Sequence, residues 1–366
     1  MLQHSQHRYG CTPSPATRTL NSGPAHLTLL SEVKRKNNRA VWAVVALNST
    51  HAPRPNARRK VVQPRLCLFA ESQIEIMENA DGPREDPRSN LWVPSGHFYS
   101  PIVDPDDEAV RRAFAAERCP EQTLSQFGID ESTLDHWFHL VCAEYVRSPF
   151  PEKPMPGSRY YYANPNFPLA DALALLAFMR ARHPKRFIEV GAGFSSCAAM
   201  DISDRLFDGD IDMTFIEPNP EFALGLIGGD PGLRRRFLKT QVQSVPLTVF
   251  EGLEAGDILF IDSSHVAKTG SDVVDYTFRI LPSLRQHVLV HIHDIFYPFE
   301  YPEAWVKEEN RSWNEAFLLR AFLHGNSRFR VLYLSDWFFK CRREVLAAAA
   351  PLCVGHRGGS LWMETI

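Results

Sequence analysis

Residues 186–196, Arg-Phe-Ile-Glu-Val-Gly-Ala-Gly-Phe-Ser-Ser, constrain this chain more than any other stretch. Residues 186–189 read as a short buried strand, Gly191-Ala192-Gly193 as a sharp turn, and the run from Ser195 as a helix start. A strand passing through glycines into a helix N-terminus makes a nucleotide-type binding site. The glycines let the backbone approach a ligand closely, and the unpaired N–H groups of the first helical turn face it. A purely structural turn reads the same way. The third glycine of the dinucleotide fingerprint G-x-G-x-x-G is replaced here by Ser196.

The same alternation continues downstream. Strands are predicted at 186–190, 213–217, about 238–242, 257–262 and 287–293, with helices at 195–206, 220–227 and 267–285. Near-continuous apolar strands between helices predict a parallel sheet covered on both faces. A helix at 313–323 precedes two further strands, 329–334 and 360–366, one of them antiparallel. Upstream, helical spacing marks 107–118, 131–145 and 168–183, the last with Pro168 in its first turn and Pro184 past its end. Asp171 on that helix has two readings, an exposed first-turn acid or a group facing the ligand pocket.

In open α/β sheets, ligands sit at the carboxyl ends of the strands. Glu217 ends the second strand, Asp262 the fourth, and His293-Asp294 the fifth, while His265 follows Asp262 in the connecting turn. Neighbouring strands lie about 5 Å apart, so Asp262 and Asp294 should meet at one point of the cleft. Two carboxylates that close repel unless a cation or a proton lies between them. The competing reading makes Asp262 and His265 turn-holding or helix-capping groups. His291, inside a strand, reads as a satisfied buried histidine. The aromatic run 296–302 reads either as a lid over the cleft or as packing for the last two strands.

A glycine turn, an acid after the next strand and an acid after the fourth, in that order, resemble the class I S-adenosylmethionine-dependent methyltransferases. Glu189-x-Gly191-x-Gly193 matches their first motif and Glu217 their ribose-binding acid, over roughly residues 160–366. The resemblance implies an α/β, Rossmann-like methyltransferase fold. Its sheet would be seven-stranded and mostly parallel, with a C-terminal antiparallel strand and helices on both faces. It implies S-adenosyl-L-methionine as cofactor, with Gly191, Gly193, Ser195 and Asp262 beside it. Glu189 would meet its amino group or an ordered water, Glu217 its ribose hydroxyls, and Gln243 its adenine, unless Gln243 is simply a surface-loop residue.

The acids also resemble those of metal-dependent O-methyltransferases of the catechol and antibiotic-sugar types. Mg2+ or another divalent cation on Asp262, His293 and Asp294 would hold a substrate's vicinal hydroxyls and acidify one of them. The pair usual in that family after the fifth strand, Asp-Asn or Glu-Asp, is His293-Asp294 here. Without a metal, His265 or His293 serves as general base. The activity implied is O-methylation of a small-molecule methyl acceptor, with Asp262, His265, His293 and Asp294 as the catalytic candidates. Two alternatives stand beside it. One is an Fe(II)-dependent oxygenase site built from two histidines and a carboxylate of the same cluster, His291 included. The other is a non-catalytic scaffold that binds the cofactor.

Charge divides the chain. Residues 1–76 hold 11 Lys/Arg and 3 Asp/Glu, whereas the remainder is net acidic. The basic arm is rich in Pro, Asn, Ser and Thr with poor hydrophobic periodicity. It therefore reads as a disordered extension rather than a nucleic-acid-binding arm, or as a stretch upstream of a true start at Met77. The expected organisation is an extension at 1–76, a strap and helices at 77–159, and the catalytic domain at 160–366. Phe98-Tyr99-Ser100-Pro101 and the acids Asp104, Asp106 and Asp107 read as that strap or as a cover over the cleft. Seven scattered cysteines, never spaced C-x-x-C, argue against a disulfide framework or a zinc site. With no signal core and no apolar run of spanning length, the expected location is cytoplasmic, with no membrane partner.

Overall fold

A computed structural model of the chain describes residues 96–366 apart from 98, 116–123, 126 and 229–231. The expected extension 1–76, the alternative start at Met77, and Phe98 lie outside the described residues. Seven strands form one sheet: β1 (Arg186–Val190), β2 (Asp212–Ile216), β3 (Arg235–Leu238), β4 (Ile258–Ile261), β5 (Leu289–Ile292), β6 (Phe329–Leu334) and β7 (Leu361–Thr365). Their spatial order is β3-β2-β1-β4-β5-β7-β6. Strands β1 to β5 are parallel, and β7 runs antiparallel to both of its neighbours. This is the seven-stranded, mostly parallel sheet expected. Strand order reverses between β1 and β4, and a ligand crevice opens at such a switch point.

All four residues of β4 and of β5 are buried, as are the last four of β1 and of β2. Burial on both faces explains their near-continuous apolar sequence. Strand β3 lies at the edge of the sheet, and every residue of its Arg-Arg-Phe-Leu is at least partly exposed. That open side weakens the apolar signal, so the strand expected at 238–242 in fact ends at Leu238 and a 3-10 turn, Val242–Ser244, follows.

The long helix expected at 267–285 is broken into an α-turn Asp272–Asp275, a π-turn Tyr276–Ile280 and a 3-10 turn Leu281–Ser283. It starts late because the Ser271 side chain caps it, accepting from Val274 N. Pro282, which has no N–H to donate, lies in the last piece.

Helix Leu169–Arg182 is buried along its first eleven residues, on all sides, as a helix between two layers must be. Trp137 of helix Glu131–Val146 stacks on Phe178 at 3.8 Å, and Phe178 stacks on Trp362 of β7 at 4.2 Å. These three rings tie the outer helix, the inner helix and the sheet together. Cys341 is disulfide-bonded, which the scattered cysteine spacing did not indicate, whereas Cys142, Cys197 and Cys353 are free. Among the described residues, no helix is long and apolar enough to cross a membrane.

Candidate active site

Strand β1 is followed at once by Gly191, which has φ 85° and whose N–H donates to Ile216 O at 3.0 Å. A Cβ added there would lie 1.7 Å from Asp262 O, so this position requires both the left-handed conformation and the bare α-carbon of glycine. Two residues on, Gly193 N donates to Ser196 Oγ at 3.1 Å at the start of helix Phe194–Leu206. The Ser195 and Ser196 hydroxyls both donate to the Glu189 carboxyl, which is completely buried. Burial pushes Glu189 up to about 8 in spite of those two hydroxyls, so at neutral pH it is chiefly a neutral acid bolting β1 to the helix start.

Gly191, Glu217, Gln243, Asp262 and Ser263 line a cavity of about 410 Å³. Glu189, Gly193 and Ser195 do not line it. Glu217 accepts from Asn219 N at 2.8 Å and from Ala192 N at 3.4 Å, which fixes its carboxylate at the end of β2. The Gln243 side chain donates to Gly270 O at 2.8 Å.

A second cavity, of about 520 Å³, is lined by all four catalytic candidates, Asp262, His265, His293 and Asp294, and by Trp305 and Trp313. The two cavities share Asp262, Ser263 and Ser264. Parallel pairing sets this up: Asp262 N donates to Val190 O, and His293 N to Ile261 O, both at 2.9 Å. His265 and Asp294 both take left-handed backbone, with φ 59° and 57°. Such conformations cost about 1–3 kcal/mol each and cluster at functional sites. At the junction, Ser263 Oγ is shielded from solvent and has no hydrogen-bond partner.

His265 Nδ1 lies 2.7 Å from Glu315 Oε2, and Tyr276 Oη donates to the other oxygen of Glu315. His265 Nε2 stands 3.5 Å from Asp262 Oδ1 and 3.6 Å from Asp294 Oδ2. His293 Nε2 is 3.7 Å from Asp294 Oδ1. Burial opposes a charge on His265, but its bonds to Asp262 and Glu315 outweigh that and hold it well above the usual imidazole range. Burial likewise opposes a charge on His293, and Asp262, Asp294 and Asp171 lift it to about 9. Burial pushes Asp294 up to about 6, with His293 and His265 restraining the rise. Desolvation opposes a charge on the partly exposed Asp262 as well, but His293 and His265 face it and hold it below the ordinary carboxylate range.

Asp171 is not an exposed first-turn acid. It is buried, accepts from Ser360 Oγ and Gly359 N, and lines the larger cavity. His291 is completely buried and stacks on Phe260 at 3.9 Å, with Nε2 3.4 Å from His293 Nδ1. Its Nδ1 has no partner, so it is buried as expected but only half satisfied. The aromatics Phe296, Tyr297, Phe299 and Tyr301 are buried in the core, which favours the packing reading of that run over the lid.

The metal expectations do not fit this geometry. Among the described residues, no group of three or more His, Cys, Asp or Glu is arranged to hold a metal ion. Asp262 and Asp294 share the Nε2 of His265, and His291 points into the sheet against Phe260 and Trp362. Neither the trio Asp262, His293 and Asp294 nor a two-histidine, one-carboxylate iron set is assembled. Sequence reasoning placed Glu315 only at a helix start and overlooked Tyr276, Ser263 and Trp313. The one signal for Glu315 was an acid next to Asn314 at a helix N-terminus.

A family described as a methyltransferase domain matches residues 188–295, a span that holds every candidate from Glu189 to Asp294 but not Trp313 or Glu315. A protein of Archaeoglobus fulgidus described as uncharacterized is 37% identical over 166 residues, 44% of this chain and 73% of its own length. The chain is also similar to the SAH-bound methyltransferase PaMTH1 of Podospora anserina, at 16% identity over 72% of this chain and 98% of that one (TM-score 0.35). A further similar structure is the O-methyltransferase TomG of Streptomyces achromogenes, involved in tomaymycin synthesis and in complex with SAM. It is 14% identical over 61% of this chain and 87% of that one (TM-score 0.34).

Proposed function

We propose that this chain, which belongs to the class I S-adenosylmethionine-dependent methyltransferase family, methylates an oxygen of a small hydroxylated molecule, with Asp294 taking the proton. The observation that carries this reading is the meeting of the two cavities at Asp262–Ser264, with Asp294 and His265 lining the larger of the two. The smaller cavity suits S-adenosylmethionine. Gly191 leaves no room for a side chain beside Asp262 O, Glu217 presents a fixed carboxylate to a ribose diol, and Ser263 Oγ has a hydrogen bond to give.

Bound S-adenosylmethionine supplies a sulfonium methyl that an oxygen nucleophile takes as neutral S-adenosylhomocysteine departs. The chain's own residues do the rest. Asp294, at about 6, is ionised at neutral pH yet basic enough to accept a hydroxyl proton. His265 and His293 are cationic beside it and stabilise negative charge growing on the acceptor oxygen. Trp305 and Trp313 wall the acceptor cavity, with the Arg311 guanidinium 4.1 Å from one ring and 4.7 Å from the other. A divalent cation has no part in this reading, because imidazoles already face both carboxylates.

The test is transfer of labelled methyl from S-adenosylmethionine to a panel of phenols, catechols and sugars, with and without EDTA, by wild type and Asp294→Asn. EDTA-insensitive transfer to oxygen that Asp294→Asn abolishes supports the reading. Tight cofactor binding with no transfer to any acceptor favours a scaffold, and EDTA-sensitive transfer restores the metal reading.

A further inference from the structure

Three candidates stand out in the described residues: the Trp305–Arg311–Trp313 stack, the buried Asp336 with its unpartnered Oδ1, and the closed chain Tyr276–Glu315–His265. The third carries furthest, because every member is buried and every contact is set by a different element. We infer that His265 is a built-in cation standing where a divalent metal would bridge Asp262 and Asp294, and that Glu315 is the positioning residue that fixes it there. This deepens the function proposed above and rests on that reading for its catalytic meaning, although the geometry does not.

The surrounding acids set the charge. Nδ1 faces Glu315 Oε2, while Nε2 faces one oxygen each of Asp262 and Asp294. Three carboxylates thus surround the ring, one bonded at Nδ1 and two within ion-pair distance of Nε2, and that geometry favours the imidazolium with a proton on each nitrogen. Glu315 stays an acceptor because the Tyr276 hydroxyl spends its proton on the other oxygen; burial and Glu315 itself keep that phenol protonated.

The ring cannot swing away. Asn314 N and Glu315 N both donate to His265 O, at 3.1 and 3.2 Å, and the Asn314 side chain grips Ala267 N at 2.6 Å and Ala267 O at 3.3 Å. Trp313 lies against the imidazole at 4.3 Å between ring centres. Two acids at one point of a cleft need a cation between them, and these contacts hold an organic one in place. A Mg2+ ion would need oxygen ligands at about 2.0–2.1 Å in octahedral array, in a direction already filled by an N–H. His265, Tyr276 and the two acids lie inside the span matched by the methyltransferase family, whereas Glu315, Asn314 and Trp313, which hold the ring in place, lie outside it.

Mn2+ binding to the full-length protein, followed by electron paramagnetic resonance without cofactor or acceptor, tests the inference. Wild type should bind no stoichiometric Mn2+ below millimolar concentration. His265→Ala should uncover the acid pair and gain a site at least tenfold tighter, which His265→Ala with Asp294→Asn should lose again. In nitrogen NMR of imidazole-labelled protein, wild-type His265 should carry protons on both nitrogens at pH 7, and Glu315→Gln should remove one or leave the ring mobile.

Tight wild-type Mn2+ binding that Asp294→Asn abolishes would overturn the inference. So would a singly protonated His265 in wild type, a readout that holds even if His265→Ala fails to fold. Failure of S-adenosylmethionine to bind, measured separately, would count against the proposed function and leave the Mn2+ result standing.

Discussion

Gly191→Ala presses hardest on the cradle between β1 and β4. The added methyl would sit 1.7 Å from Asp262 O and 2.8 Å from its carbonyl carbon, on backbone with φ 85°. Both sides of that clash are pinned, since Gly191 N bonds Ile216 O and Asp262 N bonds Val190 O. Left-handed backbone costs an alanine about 1–2 kcal/mol, and overpacking against fixed atoms costs about 1–3 kcal/mol more. A loss of roughly 2–5 kcal/mol in a domain of this size lowers Tm by roughly 5–15 °C.

Relief of the clash must also push the β1 turn away from the end of β4, where the two cavities meet. Scanning calorimetry should show the fall in Tm. Titration calorimetry at low temperature, with the variant still folded, should show S-adenosylmethionine affinity down by about tenfold or more, the equivalent of about 1.4 kcal/mol. Gly157→Ala is the control, because Gly157 has φ 81° but nothing within 4 Å of an added Cβ. It should lose only the backbone share. If Gly191→Ala melts no lower than Gly157→Ala and binds the cofactor like wild type, the close approach at Asp262 is not a constraint and the cradle argument fails.

Asp294→Asn should keep wild-type cofactor affinity while methyl transfer falls by about 10²–10⁴-fold, the usual worth of a general base. The rate of the wild type should rise with pH through about 6 as Asp294 ionises and fall above about 9 as His293 loses its proton. The acidic limb should vanish in Asp294→Asn. Glu217→Gln should weaken S-adenosylmethionine by roughly tenfold to a hundredfold in titration calorimetry, the loss of a charged acceptor being worth about 1.5–3 kcal/mol. Thermal stability should barely change, because the amide still accepts from Asn219 N.

Glu189 gives a pH signature of stability. Its folded pKa of about 8 exceeds the unfolded value, so between about pH 4.5 and 8 the folded state holds a proton that the unfolded state has released. Its contribution is full below about 4.5, falls as pH rises, and levels off above about 8. Urea melts of Glu189→Gln at several pH values should lack that decline, and an equally steep decline would place its source elsewhere.

What the sequence discloses about this molecule follows where each residue's partners lie along the chain. Strands β1, β2, β4 and β5 announce themselves because both faces are buried, and their carboxyl ends give Glu217, Asp262, His293 and Asp294 without further information. Parallel register then sets Asp262 beside His293, since Ile261 pairs with Ile292, and Asp294 follows one residue on. Strand β3 is blurred because one side is open, and the π-turn at Tyr276 is invisible because its residues suit a regular helix equally well.

The charge balance of the site is hidden for a different reason. Two acids at adjacent strand ends pointed to a missing cation, and a metal was the local answer. The cation that the fold supplies is His265, whose charge depends on Glu315, fifty residues later at the start of another helix. No spacing rule links those positions. Their contact exists only because the chain between β5 and helix Glu315–Leu323 returns to the cleft, where Asn314 N and Glu315 N bond His265 O. An acid pair read from strand ends therefore specifies that a positive charge is needed, while the return path of a distant loop decides whether a metal or a side chain provides it.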